Sequence, residues 1–107
     1  MEVIVSQVGE YSVVSLNGRL DATTAAAFDV EARKIQDAGK TKIVVDMAGL
    51  EFVSSAGLRS LLTLAKAVRP AGEVRFACVR PAVKDVLAIS GFTSIFKMFS
   101  SVEEAAG

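Results

Sequence analysis

Apolar and polar positions recur along this chain with periods that predict nine elements. Val3–Val8 and Ser12–Asn17 are short segments rich in Val, Ile and Leu, separated by Gly9 and Glu10, the pattern of a β-hairpin with a two-residue connection. Gly18 breaks the second strand. Between Ala22 and Ala38 the apolar Ala25, Phe28, Ala32 and Ile35 recur at spacings of three, four and three, which predicts one buried face of a helix. Asp21 or Thr23 is placed to cap its start, and Gly39 ends it. Thr41–Asp46 reads as a buried strand, and Met47–Ser54 as the loop after it. A second helix follows from Ala56 to Val68, with Leu58, Leu61, Leu62, Ala65 and Val68 inward and Pro70 and Gly72 beyond its end. Val74–Val79 is a strand, and Pro81 suits the first turn of a third helix that carries Val83, Val86 and Leu87 and stops at Gly91. Ile95–Met98 is a last short strand. Ser101 and Glu104 form an S-x-x-E capping box for a terminal helical stub.

The order ββαβαβαβα defines an α/β fold. Strands linked through helices demand right-handed crossovers and a mostly parallel sheet, so the opening hairpin supplies the antiparallel element. With 107 residues, 51% of them hydrophobic, the chain is expected to form one domain over residues 1–107 with an ample core. The N-terminus has Glu2 where a signal peptide places Lys or Arg, and no apolar run reaches the ~18 residues of a membrane span. A cytoplasmic protein without membrane insertion is the expectation.

Charge and residue inventory narrow the chemistry. Twelve Lys and Arg balance twelve Asp and Glu, which argues against gripping nucleic acid through bulk charge. The balance is uneven along the chain: residues 1–53 hold eight acids and five bases, whereas 54–102 hold two acids and seven bases. That is an ordinary solvated face or a polarised contact surface. With no histidine and one cysteine, there is no Ser-His-Asp triad, Cys-His pair, imidazole metal site or disulfide framework, and neither cofactor nor metal is expected. Gly39-Lys40-Thr41 matches the tail of a phosphate-binding P-loop, but position 34 is Lys where the motif needs Gly, and a strand follows where it needs a helix.

The informative stretch is Asp46–Leu62, DMAGLEFVSSAGLRSLL. It passes from a strand end to a helix start, the place where open α/β sheets put their sites. Ser54 and Ser55 sit where that helix begins. Two readings stand: simple N-capping, or an exposed hydroxyl beside free backbone N–H groups that favour an added phosphate. Nothing nearby could deprotonate a serine, so nucleophilic catalysis is not expected. Arg59, four residues after Ser55, shares its helix face and is either a solvated side chain or a partner for phospho-Ser55. Asp46 ends its strand or orients Ser55. Asp21 is a helix cap or part of a binding face. Cys78, alternating with Val74 and Phe76, reads as core, as do Phe92 and Phe96.

Taken in order, these features resemble the STAS domain family, and within it the single-domain bacterial anti-sigma factor antagonists. Gly18-Arg19-Leu20-Asp21 looks like the family's G-x-L-D turn, and Asp46 through Leu58 like its signature loop. Gly72, Val74, Val79, Pro81, Val83, Leu87, Gly91 and Phe96 follow its C-terminal pattern. The resemblance implies a switch rather than an enzyme. Unphosphorylated, such a protein binds an anti-sigma factor that is also a serine-protein kinase and so frees a sigma factor. Phosphorylation of a loop serine ends binding, and a serine phosphatase resets the cycle. Matched to the family's pattern, Ser55 takes the phosphoacceptor position, Ser54 the place of the usual Asp and Ala56 that of the following hydroxyl residue. Ser54, which removes a charge and adds a hydroxyl, is the second candidate. Asp21, Asp46, Ser54, Ser55, Ala56, Gly57 and Arg59 make up the expected partner-binding face of a free monomer. The family also includes subunits of membrane and lipid-transport complexes that need no phosphate, and partner switches that control secretion or motility.

Overall fold

The computed structural model describes residues 1–107. It has the expected order of elements, with strands β1 (Glu2–Val8), β2 (Tyr11–Leu20), β3 (Lys42–Val53), β4 (Glu73–Ala77) and β5 (Lys97–Phe99). The helices are α1 (Ala25–Asp37), α2 (Ser55–Val68), α3 (Pro81–Ile89) and α4 (Val102–Ala106). The strands form one sheet in the order β1-β2-β3-β4-β5; the hairpin is antiparallel and every other pair parallel.

Alternation sorts the strand residues between two faces. Val14 and Leu16 of β2, Ile43, Val45 and Met47 of β3, and Val74 and Phe76 of β4 join the inward residues of α1, α2 and α3 in the main core. Phe96 stacks on Phe76 with ring centroids 4.4 Å apart, and Phe92 touches Phe96, so both are core as expected. The opposite face is smaller: Tyr11, Val13, Val44 and Ala77 pack under Ala105 of α4. Arg75 pins that helix. Its guanidinium lies between the rings of Tyr11 and Phe99 and donates to the Ala105 carbonyl at 2.8 Å, while Glu73 neutralises it.

Several boundaries differ from expectation for one physical reason. β3 does not end at Asp46; it runs through the whole stretch that reads as a loop. Its register with β2 slips between Ser15 and Asn17 and again between Gly18 and Arg19, each time leaving an extra residue on β3. The slips move the buried positions from Met47 to Leu50 to Val53, a spacing of three that hides the period of two. Gly49 sits at the first slip, where a Cβ would fall 1.8 Å from the Asn17 side chain. Gly18 likewise lies within β2 instead of ending it.

At the other end of the chain, β4 stops at Ala77, so Cys78 is not a core strand residue. It adopts φ +59° in the turn beyond, half-buried, with its thiol donating to the Ser100 carbonyl at 3.5 Å. Burial and then the nearby Asp46 carboxylate push that thiol's pKa up. A single 3₁₀ turn, Phe92–Ser94, delays β5 to Lys97. The capping box is half made. Ser101 accepts the Glu104 N–H at 3.1 Å, but the Glu104 carboxylate accepts from the Ser100 hydroxyl instead of reaching back.

Because α4 is only five residues long, its anchor should be measurable. Arg75→Met leaves the Ala105 carbonyl without its charged donor and should cost about 2 kcal/mol in urea unfolding. Amides of residues 102–106 should gain hydrogen exchange more than those of α2.

Candidate functional site

The site is built where two strands end together. Leu20 closes β2 opposite Val53, the last residue of β3. The next amide, Ser54 N–H, donates to the Leu20 carbonyl at 2.9 Å, so the chain turns into α2 while still bonded to the sheet. Gly57 allows the close approach. A Cβ there would stand 2.8 Å from both the carbonyl oxygen and Cγ of Leu20 and 3.0 Å from Val53. The first turn of α2 is thus pressed against the end of β2, and the Leu20-Asp21 turn lies beside it.

The two serines have different work. Ser54 is the N-cap: its backbone is extended, its hydroxyl accepts the Gly57 N–H at 3.2 Å, and its carbonyl accepts the Leu58 N–H at 2.9 Å. Ser55 is the first helical residue and is exposed. Its hydroxyl makes no hydrogen bond within the chain. No acidic residue lies in the first turn, so the positive end of this 14-residue helix is uncompensated from within.

Arg59 is exposed, one turn further along the same face, and carries no ion pair. It borders an open groove of about 390 Å³ between α2 and α1, with Ala56 and Thr63 on its own side and Asp29 and Arg33 opposite. Asp29 and Arg33 were visible in the sequence only as polar positions of α1; their contribution to this groove depends on how the two helices pack.

Asp21 does not cap α1 itself, which starts at Ala25 after Thr24. Its Oδ1 caps the preceding turn, accepting the Thr23 hydroxyl at 2.7 Å and the Thr23 and Thr24 amides at 3.0 and 3.2 Å. The Thr23 hydroxyl foremost, helped by the Thr23 and Thr24 amides, holds its pKa below the usual carboxylate value against desolvation, which is the second-largest influence and acts the other way. The folded value lies below the unfolded one, so this stabilisation of the turn is present above the ordinary carboxylate range. It is lost as pH falls through the lowered value.

Asp46 is elsewhere. Its carboxylate accepts the Ser15 hydroxyl and the Ala48 amide, each at 3.1 Å. The rest of β3, at ~3.3 Å per residue, separates it from Val53 by roughly 20 Å. It cannot orient Ser55; the loop that would have brought them together is a strand. The structure therefore gathers Asp21, Ser54, Ser55, Ala56, Gly57 and Arg59 at one end and leaves Asp46 beside Cys78. No group of three or more Cys, Asp or Glu side chains is placed to hold a metal ion.

A five-stranded mixed sheet with α1, α2 and α3 on one face and α4 on the other is an α/β domain whose candidate site lies at the start of α2. The STAS domain model matches residues 2–105, and the chain belongs to that family. Within it the likeness runs to anti-sigma factor antagonists. BtrV of Bordetella bronchiseptica, whose naming as an anti-sigma factor antagonist is provisional, is 34% identical over 99% of this chain and 92% of its own length. An anti-sigma factor antagonist from Mycobacterium paratuberculosis superposes with a TM-score of 0.90 at 22% identity, covering 97% of this chain and 89% of that one. The phosphorylated form of the Bacillus cell fate determinant SpoIIAA superposes with a TM-score of 0.76 at 23% identity, over 97% and 96% of the two chains.

The division of labour between the serines sets a direct comparison. Ser54→Ala removes a cap and should cost about 1 kcal/mol in urea unfolding. Ser55→Ala should change stability by no more than about 0.5 kcal/mol.

Proposed function

We propose that this protein is an anti-sigma factor antagonist that switches by phosphorylation of Ser55. Bare, it binds an anti-sigma factor that is also a serine-protein kinase, and a sigma factor is released. Phosphorylated, it no longer binds, until a serine phosphatase removes the phosphate. The observation that carries the reading is the contrast at the helix start: Ser54 is occupied as the cap, while the Ser55 hydroxyl is exposed and unbonded.

The physics of the site supports a switch that acts at a surface. A phosphate adds about −1.5 to −2 charges at neutral pH. At Ser55 it would stand over the unpaired N–H groups and positive end of α2, with Arg59 one turn away as a counter-charge. The fold tolerates that charge, so binding is lost through repulsion and bulk at the contact surface, without unfolding. Asp21, Ser54, Ala56, Gly57 and Arg59 frame this surface; Asp46, distant from it, is not assigned to it. The protein acts by occupying a partner, not by catalysis, and needs no nucleic acid contact or membrane insertion.

The test uses the kinase that the wild-type protein captures from its own cells. Ser55→Ala should bind it as wild type does and accept no phosphate, whereas Ser55→Glu should bind about 100-fold more weakly, a loss of about 2.7 kcal/mol. Both variants should keep the wild-type melting temperature to within a few degrees. Equal binding by Ser55→Glu and wild type contradicts the switch and favours a subunit that acts without phosphorylation.

A further inference from the structure

One polar side chain of α2 is enclosed without a bond. Ser60 is only 9% exposed, yet its hydroxyl makes no hydrogen bond within the chain. Its neighbour Thr63 behaves as helical hydroxyls commonly do and donates back to the Arg59 carbonyl at 2.8 Å. Every side-chain oxygen fully sealed from solvent has a partner, so Ser60 Oγ keeps an opening, and what Ser60 lines is the groove between α1 and α2. A hydroxyl held in that way gains from a ligand that bonds it.

Three charges border the same groove, and none is neutralised within the protein. The four ion pairs join Glu31 to Lys34, Glu10 to Lys42, and Glu73 to both Arg75 and Lys97. Asp29 and Arg33 stand one turn apart on α1 but form no pair, and Arg59 on the opposite wall pairs with neither. Two guanidiniums against one carboxylate leave the groove positive, and the uncompensated start of α2 adds to that sign. Ala25, Ala32 and Ala56 line it with small side chains, so its 390 Å³ admits side chains from another molecule.

We propose that this groove docks an acidic segment of a protein partner, with carboxylates on Arg33 and Arg59 and the Ser60 hydroxyl as a further donor. Guanidinium forks suit carboxylates, and both arginines are free to turn toward them. Asp29 selects against a compact polyanion such as free phosphate. A segment can instead set one carboxylate at each arginine and leave Asp29 in water. The groove is continuous with the α2 start, since Ala56 and Arg59 belong to both. Its link to regulation rests on the reading of Ser55 given above: a phosphate there draws Arg59 toward itself and repels the acidic segment.

Titrations of the ¹⁵N-labelled protein, followed by NMR, test the groove without the kinase. The probes are an alanine-based peptide carrying glutamates, its lysine counterpart, and inorganic phosphate. The glutamate peptide should give saturable shifts in the amides of residues 32–36 and 59–64, and the other two probes should not. Arg33→Glu should weaken that binding at least about tenfold and Ser60→Ala about threefold, whereas Asp29→Asn should tighten it. Melting temperatures should show each variant folded. No saturable shift, equal shifts with the lysine peptide or phosphate, or wild-type binding by Arg33→Glu would each overturn the proposal. Ser55→Glu separates the two readings. If it binds the glutamate peptide as wild type does while Arg33→Glu does not, the groove stands and its control by Ser55 fails. If no peptide binds but Ser55→Glu still releases the kinase, the groove alone falls.

Discussion

The contact between the end of β2 and the first turn of α2 governs the functional end of the molecule. It consists of one backbone hydrogen bond, from Ser54 N–H to the Leu20 carbonyl, and one close approach that only glycine permits, at Gly57. A helix attached by a flexible loop would let its first residues wander. Here the strand pairing of Leu20 with Val53 continues into the turn, so the α2 N-terminus takes its place from the sheet. The cap formed by Ser54 then fixes the direction in which Ser55 faces.

That arrangement separates the residues that hold the helix start from those that face solvent. The residues that hold the helix start are buried or half-buried: Leu20, Val53, Ser54 and Gly57. Those that can meet a partner, Ser55 and Arg59, are exposed and hold nothing else in place. A charge added at Ser55 therefore has a favourable local field and few packed neighbours to disturb. Ser54, standing where the family resemblance implies Asp, fits the same division, since a serine caps the helix without placing a carboxylate beside Ser55.

Most of the fold was legible from period and punctuation. The amphipathic spacing of Phe28, Ala32 and Ile35, the Pro81 helix start and the Ser101 cap all appear where the chain predicts them. Legibility failed where pairing between distant strands sets local conformation. The slips of β3 against β2 shift its buried residues out of alternation, so twelve residues of strand read as six of strand and a loop. The place of Asp46 depends on those slips, and that of Cys78 on the end of β4 at Ala77, after which its own backbone turns to φ +59°. The serines were legible as a pair, but the geometry of the cap was needed to give them separate roles. The α1–α2 groove is a product of packing, with no local signature in the sequence.

Mapping phosphate on the protein isolated from its own cells tests the central assignment most directly. Trypsin releases Ile43–Arg59, in which Ser54 and Ser55 are the only hydroxyl side chains. Fragmentation between them should place the phosphate on Ser55 alone, in a fraction that changes with growth conditions. Phosphate on Ser54, or a peptide that stays bare across conditions and after incubation with cell lysate and ATP, would contradict the account.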